Sequence, residues 1–114
     1  MPRERITVLP SVQRRITAVG QRLRLARLRR RLTTSQVAER AGIARSTLYR
    51  IELGDPSVAF GNYATVLFCL GLDEDLDTIA HDDELGRKLQ DAGLGMRSRG
   101  KYPDRDRGRK QADA

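Results

Sequence analysis

Arginine is the residue type in this 114-residue chain that most clearly indicates a binding function. Nineteen of the 22 basic residues are Arg, and its planar guanidinium matches phosphates and guanine edges better than an ammonium group does. Residues 1–32 hold ten Arg and one Glu for a net charge of +9, residues 33–70 are neutral, residues 71–94 carry −6 and residues 95–114 carry +4. Genome composition could account for the Arg-to-Lys ratio, but it does not explain this clustering. The overall charge of +7 indicates a nucleic acid or an anionic surface as partner.

Catalytic and metal-binding chemistry has few candidates. His81 is followed by Asp82, Asp83 and Glu84, which suggests a general acid–base pair or a metal ligand. A histidine at a helix start or in a linker is the simpler interpretation. Cys69 lies in an apolar stretch and is interpreted as a small core residue. A single cysteine and a single histidine permit neither a disulfide nor a zinc cluster, so we expect no catalytic site, no metal, no cofactor and no enzymatic activity.

The length and hydropathy of the chain predict one small domain with polar flanks. There is room for one modest core, and no apolar run reaches the length of a membrane span. The N-terminus has no apolar segment typical of a signal peptide, so a cytoplasmic location is expected. The predicted organisation is a flexible leader at 1–10, a main helical domain at 11–72, an acidic helical extension at 73–94 and a disordered basic tail at 95–114.

Apolar residues at helical spacing predict an all-α fold of five or six helices. The first is expected to be capped by Ser11 and to end near Leu32, with Gly20 as a kink or as its true start. Thr33 and Gln36 have the form of a capping box that begins the second helix. The later helices are predicted at Arg45 to Leu53, at Gly61 to Leu70, after a cap at Asp73, and after a cap at Asp82 or Asp83.

The second and third helices follow a helix-turn-helix plan. A short turn containing Gly42 joins them, and the third helix is polar on its outward face. In this plan the second helix of the pair lies in the DNA major groove. The segment from Gln36 to Gly54 resembles the phage-repressor family of helix-turn-helix regulators (Cro and Xre type), and the resemblance extends from about Gln21 to Leu72. The matching positions are Val37-Ala38, Ala41-Gly42-Ile43, Leu48, Ile51 and Glu52-Leu53-Gly54.

The resemblance implies a set of DNA-contacting residues. Those at the groove-facing positions are Arg45, Ser46, Thr47, Tyr49 and Arg50. Each of the two arginines could bond guanine O6 and N7. Where the family has a phosphate-contacting Gln this chain has Thr34, and Gln36 lies two residues further on, so both are candidate phosphate contacts. Arg27 and Glu52 stand where family members have a buried ion pair, and we expect them to be structural.

Several partners remain possible at this point. The favoured one is double-stranded DNA, bound at a palindromic operator by a homodimeric repressor. Candidate residues for a self-interface are Leu72, Leu76, Ile79, Leu85, Leu89 and Leu94, although core completion is an equally good reading. A weaker resemblance, in Gly54 to Tyr63, Leu70 to Leu76 and Asp83 to Gln90, is to HipB-like antitoxins. It implies autoregulation and a HipA-type kinase toxin as partner. A sequence-blind DNA-binding protein is the third alternative.

Overall fold

The computed structural model describes residues 6–93, which form five α-helices, one 3₁₀ helix and no strand. The elements are α1 (Pro10–Arg29), α2 (Thr34–Ala41), α3 (Arg45–Glu52), α4 (Phe60–Cys69), the 3₁₀ helix (Asp73–Thr78) and α5 (Glu84–Asp91). The all-α fold predicted from the sequence is therefore confirmed over this range. Leu94, the basic tail at 95–114 and residues 1–5 of the predicted leader lie outside the described residues.

The chain divides after Ile79 into two compact units. The first contains α1 to α4 and the 3₁₀ helix, and the second contains α5. Within the first unit α3 packs against α1 and α2, and α2 packs against α4. No described helix is both long enough and apolar enough to span a bilayer.

The core of the first unit is built from small and branched apolar side chains. Leu48 and Ile51 of α3 have no exposed surface, and Val37 of α2 and Val66 of α4 are 1 % exposed. Burying a side chain of this kind stabilises the fold by about 1.5–3 kcal/mol. The same side of α3 therefore cannot face a ligand. Other members of the core are Leu23, Ala26, Ala38, Val58, Tyr63 and Leu70.

Two glycines, Gly20 and Gly54, allow α1 to pack closely against the C-terminal end of α3. A Cβ added to Gly20 would lie 2.5 Å from the carbonyl oxygen of Ile51 and 2.8 Å from that of Glu52. A Cβ added to Gly54, which has φ +78°, would lie 2.5 Å from the Cα of Thr17. Because these neighbours are backbone atoms, both positions require glycine. Of the two interpretations of Gly20, as a kink or as the start of α1, the second is wrong, since Gly20 lies within the helix and serves this contact.

The predicted cap of α1 is also wrong. The helix begins with Pro10 at its first turn, and the residue that precedes it, Leu9, makes no side-chain capping bond. Proline suits this position because its φ is already helical and its missing N–H would have no partner in the first turn. Ser11 is consequently inside the helix.

The C-terminus of α1 comes earlier than the predicted Leu32. Arg31 adopts a left-handed conformation with φ +54°, and its N–H donates to the carbonyl of Leu28 at 2.9 Å. The N–H of Leu32 donates to the carbonyl of Arg27 at 3.1 Å. These two bonds form a Schellman motif, which ends the helix at Arg29.

Beyond α4 the sequence predicted one helix cap correctly and one incorrectly. Asp73 does not cap an α-helix: it is the first residue of a 3₁₀ helix without a side-chain cap. Four of the six residues in that segment are acidic, and like charges at α-helical spacing repel one another. Asp83 does cap α5, because its Oδ1 accepts a bond from the N–H of Gly86 at 3.0 Å.

Candidate nucleic-acid interface

Two eight-residue helices, α2 and α3, meet at a tight turn. The N–H of Gln36 donates to Thr33 Oγ1 at 3.0 Å, and Gln36 Oε1 accepts the N–H of Thr33 at 2.8 Å, so the predicted capping box is formed. Gly42 has the left-handed φ of +70° expected at the end of α2. The N–H of Ile43 donates back to the carbonyl of Ala38 at 3.0 Å. These bonds fix the direction in which α3 leaves the turn.

The outward face of α3 carries polar side chains opposite its buried Leu48 and Ile51. Arg45 and Ser46 are exposed, and Tyr49 is 64 % exposed. Because Arg45 and Tyr49 are four residues apart, they share one side of the helix. Arg45 Nη1 lies 3.4 Å from Ser35 Oγ on α2. The surface of α3 can thus offer a guanidinium, a hydroxyl and a phenol to a large ligand.

The other predicted contact residues are half-buried or already hydrogen-bonded within the protein. Thr47 and Thr34 are half-buried, with Thr34 in the first turn of α2. Gln36 is exposed, but its Oε1 is committed to the capping box, so its amide nitrogen is the group left to donate elsewhere. The hydroxyl of Thr34 and this amide lie at the start of the same helix, where a phosphate is favoured by the helix dipole.

Arg50 is held by Asp55, which lies in the loop between α3 and α4. Arg50 Nε donates to Asp55 Oδ2 at 2.9 Å, and the two side chains are 26 % and 30 % exposed. The other carboxylate oxygen of Asp55 accepts the N–H of Ser57 at 2.8 Å. The hydroxyl of Tyr63 donates to the carbonyl of Asp55 at 2.7 Å. The only sequence signal for this pair is an acid five residues after an arginine, which does not by itself predict contact.

Two pKa shifts follow from this arrangement. The bond from Arg50 lowers the pKa of Asp55 below its ordinary value of 3.8, and the N–H of Ser57 lowers it further. Burial raises the pKa of Tyr63 to about 12, with a smaller contribution from the charge of Asp55. At neutral pH Asp55 is therefore charged, and Tyr63 keeps the proton that it donates.

Arg27 and Glu52 form a buried, two-pronged ion pair between α1 and α3. Arg27 Nε lies 2.7 Å from Glu52 Oε2, and Arg27 Nη2 lies 3.1 Å from Glu52 Oε1. Arg27 Nη1 donates to the carbonyl of Leu32 at 3.0 Å. The side chains are 9 % and 6 % exposed, and the bond to Glu52 raises the pKa of Arg27. The pair is turned away from solvent and joins two helices.

A row of exposed arginines extends along the second half of α1 and its exit. Only one of them has a side-chain bond to the rest of the described chain: Arg30 Nη1 donates to the carbonyl of Ala26 at 2.9 Å. The exposed members are Arg22, Arg24, Arg29, Arg30 and Arg31. The basic residues of the tail, from Arg97 to Lys110, for which DNA contact and a solvated tail are equally good predictions, lie outside the described residues.

The candidates for catalysis and metal binding are not assembled into a site. His81 is exposed and Cys69 is half-buried. Within residues 6–93 no group of three or more His, Cys, Asp or Glu side chains is arranged to hold a metal ion.

Comparison with known proteins agrees with this geometry. A search of curated proteins found no match to the sequence. A family model described as a helix-turn-helix domain matches residues 18–77, which is more than half of the chain. The matched range contains α2, the turn, α3 and both partners of the buried ion pair. The chain therefore belongs to the helix-turn-helix domain family.

Proposed function

We propose that this protein is a transcriptional regulator of the phage-repressor (Xre) type that reads double-stranded DNA with α3. The observation that carries the proposal is the division of α3 into a buried apolar side and an exposed side with Arg45, Ser46 and Tyr49. A helix of this form fits the major groove. Arg45 bonds a guanine, Ser46 and Thr47 bond a base or a phosphate, and Tyr49 lies against the sugar–phosphate wall.

The phosphate backbone is the partner of the basic and capping residues around α3. Thr34 and Gln36 donate to a phosphate at the start of α2. The exposed arginines of α1 add attraction that does not depend on sequence. Such contacts release counterions, so affinity falls steeply with salt. The logarithm of the binding constant should fall with the logarithm of the salt concentration, with a slope of about 0.9 for each phosphate neutralised.

A homodimeric repressor bound to a palindromic operator is the assembly we favour. One α3 reads too few base pairs to specify a site, and two-fold dimers place two such helices one DNA turn apart. Ile79 and Leu85 are 59 % and 67 % exposed in the described residues. Leu89 of α5 is also exposed, at 41 %, whereas Leu76 is half-buried and Leu72 packs against the core of the first unit.

Selection of duplexes from a random pool tests the proposal. We expect the full chain to enrich a two-fold symmetric motif. Arg45→Ala should keep its fold and lose about 5- to 150-fold in discrimination at one G·C pair. Arg24→Ala, an exposed arginine of α1, is the matched control and should weaken binding to all sequences alike. Enrichment of no motif would support a sequence-blind DNA-binding protein instead.

An antitoxin role is the second candidate, and the exposed apolar side of α5 favours it. Leu85 and Leu89 are 67 % and 41 % exposed in an acidic part of the chain, which suits a protein partner better than DNA. The partner would be a HipA-type kinase. Co-expression with such a kinase encoded beside this gene should yield a complex that Leu85→Asp disrupts. Failure of the two purified proteins to associate would exclude this role.

A further inference from the structure

We propose that Asp55 is a positioning residue for base recognition, because it holds the guanidinium of Arg50 in a fixed orientation. This inference rests on the proposed DNA-binding function and deepens it. It assigns part of the sequence specificity to an acidic residue that does not itself touch a base.

The first observation is that Asp55 binds Nε of Arg50 and not its terminal nitrogens. In the described part of the chain the only side-chain hydrogen bond of Arg50 is made by Nε, at 2.9 Å from Asp55 Oδ2. The terminal nitrogens Nη1 and Nη2 are therefore available at the far end of the planar group. These two nitrogens form the fork that matches O6 and N7 of guanine.

The second step is the rigidity of Asp55. Its Oδ1 accepts the N–H of Ser57, its carbonyl accepts the hydroxyl of the buried Tyr63, and its own N–H donates to the carbonyl of Arg50 at 2.9 Å. Main-chain and side-chain bonds thus tie Asp55 to α3 and to α4 at once. A side chain whose partner is fixed in this way loses less freedom when it binds a ligand.

The third step is the contrast with Arg45. Arg45 is exposed, and within residues 6–93 its side chain makes one hydrogen bond, to Ser35 Oγ at 3.4 Å. Arg45 therefore has more side-chain freedom to lose than Arg50 when it bonds its guanine. Arg50 should accept guanine at one position and discriminate strongly against the other bases.

Removal of the Asp55 charge should raise the affinity for DNA if the carboxylate acts only through repulsion, and should lower base discrimination if it positions Arg50. A carboxylate near DNA repels phosphates, so charge alone predicts tighter binding by Asp55→Asn. Positioning predicts that Asp55→Asn loses discrimination at the base pair read by Arg50. The two effects are separated by measuring the affinity for every single-base-pair variant of the operator.

The experiment uses the full chain and fluorescence anisotropy on the selected duplex and its variants. The proteins are wild type, Asp55→Asn, Arg50→Ala, the double variant, and Glu39→Gln, which removes an exposed acid of α2 as the charge control. We expect Asp55→Asn to lose about threefold or more in discrimination, at the position where Arg50→Ala loses about tenfold or more. In the Arg50→Ala background, Asp55→Asn should change nothing further at that position.

Two results would overturn the inference. One is that Asp55→Asn discriminates like wild type at every position. The other is that it has the same effect with and without the Arg50 side chain. Thermal unfolding of each variant separates a loss of fold from a loss of readout. Failure of the proposed function is distinct, because the wild-type protein would then select no duplex at all.

Discussion

At the scale of single residues, the two arginine–carboxylate pairs that involve α3 differ in burial and therefore in what they contribute. Arg27 and Glu52 are bidentate and almost fully buried, whereas Arg50 and Asp55 are about one quarter to one third exposed. Removal of one partner from a buried pair leaves an uncompensated charge. A partly exposed pair is screened by solvent and contributes little to stability. The first pair maintains the α1–α3 packing, and the second orients a side chain.

Glu52→Ala should therefore be one of the most damaging single substitutions. It leaves the Arg27 guanidinium buried without its carboxylate, and we expect a loss of about 3–5 kcal/mol in unfolding free energy. Glu39→Ala, an exposed acid on α2, should change it by less than about 0.5 kcal/mol. Urea unfolding measures both. Equal effects of the two substitutions would contradict the structural role of the pair.

The Asp55 carboxylate predicts a defined dependence of stability on pH. Its folded-state pKa is lowered, chiefly by Arg50, so its contribution is present above the ordinary pKa of 3.8 and is lost as pH falls through the lower, folded-state value. The stability difference between wild type and Asp55→Asn should be constant at neutral pH and shrink below about pH 4. An NMR titration of the carboxyl carbon checks the pKa directly. A midpoint above the ordinary value would contradict the predicted direction.

The residues that could be predicted from sequence are those whose partners are close in the chain. The capping box of Thr33 and Gln36 spans three residues, so its bonds follow from local spacing. The pair Arg27 and Glu52 came from a family resemblance, which carries long-range information. Asp55 was missed because its contact with Arg50 depends on the path of the loop between α3 and α4. Local patterns do not specify that path.

At the scale of elements, the position of α3 depends on the close approach of its C-terminus to α1. Gly20 and Gly54 allow backbone to meet backbone at this crossing. The Gln13 amide adds a bond to the carbonyl of Gly54 at 2.8 Å. The sequence predicts a kink or a helix start at Gly20, because no local pattern identifies the α3 backbone that it contacts.

Gly20→Ala should destabilise the protein although alanine is the better helix former. The added Cβ would overlap the carbonyls of Ile51 and Glu52, and overpacking of this kind typically costs about 1–3 kcal/mol. Gly61→Ala is the control, since a Cβ there meets no atom within 4 Å. That change should stabilise α4 by up to about 1 kcal/mol. Thermal unfolding of both variants measures these changes in stability. A Gly20→Ala protein as stable as wild type would contradict the close crossing of α1 and α3.

At the scale of the whole molecule, the separation of charge favours different partners for different parts of the chain. The basic first 32 residues suit DNA, and the acidic residues 71–94 are repelled by it. Within the acidic part, α5 places Leu85 and Leu89 four residues apart on one side. Its Glu84 and Lys88 form an exposed pair at 3.4 Å. A protein interface is therefore more consistent with α5 than a DNA contact.

Substitutions on α5 test the proposed homodimer. Leu85→Asp with Leu89→Asp should convert a dimer to a monomer, because two charges would be buried in an apolar interface. Replacement of the exposed Glu84 and Lys88 by Ala is the matched control and should leave the dimer intact. Sedimentation equilibrium of the full chain measures the mass. A dimer that survives the Leu substitutions would place the self-interface elsewhere.

The most direct test of DNA reading by α3 is a crystal structure of the full chain with its selected duplex. We predict that α3 lies in the major groove, with the Arg45 guanidinium within hydrogen-bond distance of a guanine edge and Tyr49 against the backbone. A complex in which the exposed face of α3 points to solvent, and the arginines of α1 alone touch the DNA, would contradict the account.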